Sequence, residues 1–193
     1  MAGSTTVPIR LQQAEGATVD EITTSGAQAI NLALLLLRVG VGAMILAHGW
    51  NHLFGGGGLA GTAGWFDSLG LRPGKLHALL ASVTESIAGV LLIVGLLTPV
   101  AAGALLGVML VAWITAHRSN GFFIFRPGQG WEYVAIVSVV AIAIGTVGPG
   151  AWSLDDLWNL GWLGWTPMLV TVALGFGGTA ALLAVFWRPG RSD

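Results

Sequence analysis

The chain carries five apolar segments, each close to the length of one membrane crossing. They fall at residues 31–54, 76–97, 99–117, 131–146 and about 163–187. A hydrocarbon core of about 30 Å takes about 20 helical residues to cross. Backbone amides and carbonyls have no water to bond there, so each segment is expected as a helix. Pro99 and Pro167 stand near the starts of the third and fifth segments, where a missing amide donor matters least. The second and third segments meet so closely around Thr98 and Pro99 that they must form a hairpin.

Composition removes the soluble alternative. Hydrophobic residues make up 54% and charged residues 9% of the chain, against roughly 25% charged in an average soluble domain. Mean hydropathy is +0.79. The formal net charge of −1 gives no electrostatic basis for binding nucleic acid. Without a single cysteine there is no disulfide, thiol redox centre, iron–sulfur cluster or cysteine-ligated zinc. Redox chemistry would have to come from a bound cofactor or a partner protein.

Residues 1–30 read as a polar tail outside the membrane, with a short amphipathic stretch around Ile9 to Ala14 and no signal-peptide pattern. Arg72, Lys75, Arg118, Arg126, Arg188 and Arg191 fall on one side of the five crossings, whereas Arg10 alone lies on the other, with Asp155 and Asp156. The positive-inside rule therefore places the C-terminus in the cytoplasm and the N-terminus outside, in a multi-pass membrane protein. Trp152, Trp158, Trp162 and Trp165 on one side, and Trp131 and Trp187 on the other, suit interfacial anchoring. Gly103 and Gly107 form a G-x-x-x-G pair for close helix packing, while Gly40 and Gly42 are expected to break up the first helix.

Ionisable groups at depth are the functional signal. Arg38 lies roughly 10 Å into the first segment and Glu85 roughly 14 Å into the second from the opposite face, which puts them within about 6 Å of one level in a core of about 30 Å. An unpaired arginine there costs at least about 2.5 kcal/mol, so an Arg38–Glu85 ion pair is expected. His48 and His52 end the first helix one turn apart, His117 ends the third, and Glu132 begins the fourth with Tyr133 beside it. Odd helices end and even helices begin on the same side, so these groups share a leaflet. Such a cluster could be a polar cap, a quinone or small-molecule site, a zinc or iron site, or a haem site; covalent haem lacks its cysteines. The four glycines at 55–58 lack the G-K-[ST] of a nucleotide loop and read as a hinge. Beyond them, "GTAGWFDSLGLRPGK" suits a short interfacial helix over the cluster, and "SNGFFIFRPGQGWEY" a second lid.

The stretches "LRVGVGAMILAHGWNHLFGG", "GWFDSLGL", "TESIAGVLLIVGLLTP", "HRSNGFF", "GWEY" and "GPGAWSLDD" resemble, in order and spacing, the DoxX family of small bacterial membrane proteins, across about residues 32–156. The resemblance implies an all-α membrane protein with a four-helix bundle over residues 31–156. The fifth helix in 157–193 is then an addition for docking or lipid contact. It implies quinone as the ligand, with Arg38, His48, Glu85, His117 and Glu132 at the motif positions. It also implies a role as a membrane subunit in quinone-linked electron transfer or oxidative-stress defence, beside other oxidoreductase or respiratory subunits. His52 stands where the family usually has lysine, which favours a hydrogen-bond donor or cation there over a metal ligand. Ala151 stands where an arginine is common. The expected catalytic set is thus His48, Glu85, His117 and Glu132, with Arg38, His52 and Tyr133 completing the binding site. An accessory subunit of a respiratory complex and a small-solute or lipid transporter are the alternatives.

Overall fold

The structure is a computed structural model that describes residues 19–162 and 164–190. Its elements are α1 (Val19–Phe54), α2 (Gly58–Ser68), α3 (Gly74–Val94), α4 (Thr98–Ala112), α5 (Glu132–Val147), α6 (Leu154–Leu157) and α7 (Thr166–Phe186). A π-helical turn, Trp113–His117, extends α4. No strand occurs among the described residues; one isolated bridge joins Leu71 and Trp187. The stretch around Ile9 to Ala14 lies outside the described residues.

This is an all-α membrane protein. Among the described residues, four helices are long and apolar enough to cross a bilayer: Thr23–Phe54, Gly74–Val94, Thr98–His117 and Thr166–Phe186. The shorter α5, about 24 Å long, packs against α4 and α7. At the start of the chain the structure extends the expected first helix, because α1 begins at Val19. Nothing in "TTSGAQA" stops a helix that the following apolar turns already nucleate.

Small residues set the helix spacing. A Cβ on Gly42 would come within 2.7 Å of the Gly89 carbonyl, and one on Gly89 within 2.7 Å of the Gly42 carbonyl. Thus α1 and α3 meet backbone to backbone. Gly40 and Gly42 do not break α1, which runs through them unbroken; lipid leaves the backbone no better partners than its own. Gly103 and Gly107 face α7, where Thr171 and Thr179 donate to the carbonyls of Pro99 at 2.9 Å and Gly107 at 3.2 Å. The G-x-x-x-G pair therefore packs the chain on itself.

The α3–α4 hairpin is held by charges of opposite sign at its two helix ends. Gly95, left-handed at φ 67°, terminates α3. The buried Arg38 side chain donates through Nη1 to the carbonyls of Leu92 at 3.1 Å and Ile93 at 3.5 Å, and through Nη2 to Trp152 at 2.6 Å. A Cβ on Gly95 would collide with that guanidinium. Buried Asp155 accepts from the first amides of α4, Leu97 at 2.7 Å and Thr98 at 2.8 Å. Cation at the carbonyl end and carboxylate at the amide end both oppose the helix dipoles.

Candidate functional site

Arg38 therefore does not pair with Glu85. Leu92, whose carbonyl it binds, lies about 10 Å farther along α3 than Glu85. The expectation matched depths but left out the unpaired carbonyls at a helix end, which offer a buried cation several acceptors at once. Asp155 adds its charge nearby.

Glu85 is buried near the middle of α3. Its Oε2 makes no hydrogen bond within the described residues. The nearest ionisable partner is His52, whose Nε2 approaches that oxygen to 3.5 Å. Tyr133, from α5, lies within electrostatic reach of the same carboxylate. The His52 ring is itself seated among aromatics of α2, 6.3 Å from Trp65 and 6.0 Å from Phe66, centroid to centroid. The helix expected in "GTAGWFDSLGLRPGK" thus forms as the end of α2 and walls the site.

His117 sits on the π-helical turn, a rare local geometry often found at functional sites. Its Nδ1 is 2.9 Å from the carbonyl of Gln129. A carbonyl can only accept, so Nδ1 carries the proton and a neutral ring keeps a lone pair on Nε2. The Tyr133 ring meets it edge-on at 5.7 Å. Gln129 holds its carbonyl there in a left-handed conformation, φ 61°, which is strained for a residue with a Cβ.

These groups line one cavity of about 420 Å³, within the range of small-molecule sites. His48, His52, Glu85, His117, Gln129 and Tyr133 make its polar side, and Trp65 and Phe66 of α2 border it. Gly103, Gly107 and Val108 of α4, with Leu174, Gly178 and Leu182 of α7, make an apolar side. A second hollow, about 330 Å³, is lined by Asn51, Gly55, Gly56, Gly61, Thr62 and Trp65, and His52 borders both spaces. His52 therefore stands between the inner cavity and the glycine-rich loop.

Of the residues expected here, His48, His52, Glu85, His117 and Tyr133 come together. Arg38 and Glu132 do not line the cavity. Glu132 accepts from the Ile124 amide at 3.1 Å, anchoring the loop before α5 rather than joining the cluster. Among the described residues no group of three or more His, Asp or Glu side chains could hold a metal ion. Sequence reasoning missed His77, buried on α3 with its Nε2 unpartnered among the described residues and its ring 5.0 Å from Phe186. It also missed Gln129 and the entire contribution of α7. Leu174, Gly178 and Leu182 carry no polar signal, and only the packing of α7 on α4 turns them toward the site.

The family model that describes DoxX proteins matches residues 33–118. The resemblance read from the motifs is thereby borne out over the stretch from α1 to the π-helical turn, which carries His48, His52, Glu85 and His117. Tyr133 and α7 lie beyond the matched residues. No curated protein and no solved structure matches the chain.

Proposed function

We propose that this protein is a DoxX-type membrane subunit whose cavity receives the head group of a lipophilic quinone, in the service of quinone-linked electron transfer or oxidative-stress defence. The observation that carries the reading is the buried Glu85 carboxyl, whose Oε2 makes no hydrogen bond among the described residues, with His52 Nε2 no nearer than 3.5 Å, while it borders the cavity. A polar atom left so costs about 1–3 kcal/mol, and more if charged. A ligand that shares a proton with it would offset that cost.

The donor set fits a quinone. Protonated His52 or protonated Glu85 can donate to a quinone carbonyl oxygen, and His117, with its Nδ1 proton engaged by the Gln129 carbonyl, can accept through Nε2 from a hydroxyl of the reduced quinol. A bound quinone would supply two-electron, two-proton chemistry that no side chain of this cysteine-free chain provides. Electrons then come from a partner oxidoreductase or respiratory subunit. The chain's own task is to hold the head group, exclude bulk water and move protons. His52, bordering the outer hollow and standing 3.5 Å from Glu85, is placed to pass protons between the loop face and that carboxyl.

The test is a titration of the purified full-length protein in nanodiscs with decylubiquinone, read by quenching of tryptophan fluorescence. Trp65, at the cavity wall, should report saturable binding. Glu85→Gln should weaken it about tenfold or more, the effect of losing a hydrogen bond to a charged group. Quenching that never saturates, or that Glu85→Gln leaves unchanged, would overturn the reading.

A further inference from the structure

The cavity has a side that the polar groups do not use. α3 and α7 both pack on α4 rather than closely on each other; they meet where the His77 ring lies 5.0 Å from that of Phe186, beside the hydrogen-bonded chain links 69–72 and 186–188. Farther along, Leu80 of α3 and Leu174 of α7 line the cavity and are also 43% and 45% exposed. The cavity therefore opens sideways, between two membrane-crossing helices, onto what would be lipid. Its floor at that opening is the small-residue face of α4, Gly103 and Gly107.

Resting on the quinone reading above, we infer that the groove between α3 and α7 is the exit for the ligand's isoprenoid tail, and that Gly178 keeps that exit open. A head group lodged beside Glu85 lies inside the protein, so a long tail attached to it must leave through an apolar gap. Hydrocarbon gains little by moving from lipid into such a gap, since lipid tails are as apolar as leucine. The groove thus acts by allowing passage, and its width decides which ligands fit. Gly178 lines the cavity, and a Cβ added there meets nothing within 4 Å. Gly177, its neighbour, is equally open but does not line the cavity. A larger side chain at 178 fills the exit; the same side chain at 177 points elsewhere.

This pair gives the experiment. Full-length wild type, Gly178→Leu and Gly177→Leu are placed in nanodiscs and titrated with two probes, 2,3-dimethoxy-5-methylbenzoquinone without a tail and a ubiquinone with a long tail. Thermal melting checks that each variant is folded, and Leu80→Trp, narrowing the gap from α3, serves as a second block. Gly178→Leu and Leu80→Trp should each weaken the tailed quinone about tenfold or more. They should leave the tail-less probe nearly unchanged, and Gly177→Leu should alter neither. Equal binding of the tailed quinone by wild type and both blocking variants would overturn the exit while leaving head-group binding intact; bilayer lipid would then be the groove's occupant. Equal losses for both probes, or for Gly177→Leu, would also overturn it. Failure of wild type to bind the tail-less probe would sink the quinone reading and this inference with it.

Discussion

His52 Nε2 stands 3.5 Å from Glu85 Oε2, joining the last turn of α1 to the middle of α3. The Glu85 side chain is 5% exposed and that of His52 17%, so the pair is shielded from water but bordered by two hollows. Such a pair should act as a unit. In a double-mutant cycle on decylubiquinone binding, His52→Ala and Glu85→Gln are expected to combine to less than the sum of their single effects. The interaction energy should be about 0.5–3 kcal/mol. Strict additivity would separate the two residues functionally.

Arg38 tests a different claim, that the deep cation braces the α3–α4 hairpin. Arg38→Leu removes every contact to the carbonyls of Leu92, Ile93 and Trp152 and strips the charge near Asp155. Losing one partner of a buried charged network costs about 3–5 kcal/mol. A marked drop in melting temperature is expected, with quinone affinity retained in the molecules that stay folded.

Two glycines one turn-fraction apart should respond in opposite ways. A Cβ on Gly40 meets nothing within 4 Å, whereas one on Gly42 would lie 2.7 Å from the Gly89 carbonyl. Gly40→Ala should be neutral or stabilise by up to about 1 kcal/mol through helix propensity. Gly42→Ala should destabilise by about 1–3 kcal/mol through overpacking. Reversible unfolding in mixed detergent would measure both.

Orientation can be read directly because the chain has no cysteine of its own. Thr5→Cys and Gly190→Cys, introduced singly, provide clean targets for a membrane-impermeant thiol reagent. Intact cells should label position 5 only, and inverted vesicles position 190 only, as the distribution of basic residues demands.

Four of the five expected crossings were legible in the sequence because lipid permits little else: apolar length alone marks where such helices run, while α5 forms where the fourth was expected but is shorter than a full crossing. The meeting of His48, His52 and His117 followed from the alternation of helix direction, whereas Glu132 was expected with them and Glu85 was expected opposite Arg38 instead. What stayed hidden depended on geometry without a residue signature. Arg38 found its acceptors in backbone carbonyls at the end of α3, and any sequence would have offered those atoms. Glu132 was drawn off by a loop amide, a contact set by the turn before α5. The wall supplied by α7 could not be seen either, since glycine and leucine look alike whether they face lipid or a ligand. Gln129 contributes its backbone carbonyl, which leaves side-chain identity uninformative.

Where a quinone sits decides whether the cavity serves it. Full-length protein in nanodiscs would be irradiated with an azidoquinone and the adducts mapped by mass spectrometry. Adducts at the cavity wall, around His48, His52, Trp65 and Tyr133, and their loss in Glu85→Gln, are the predicted result. Adducts spread over the lipid-facing helices, unaffected by Glu85→Gln, would contradict it.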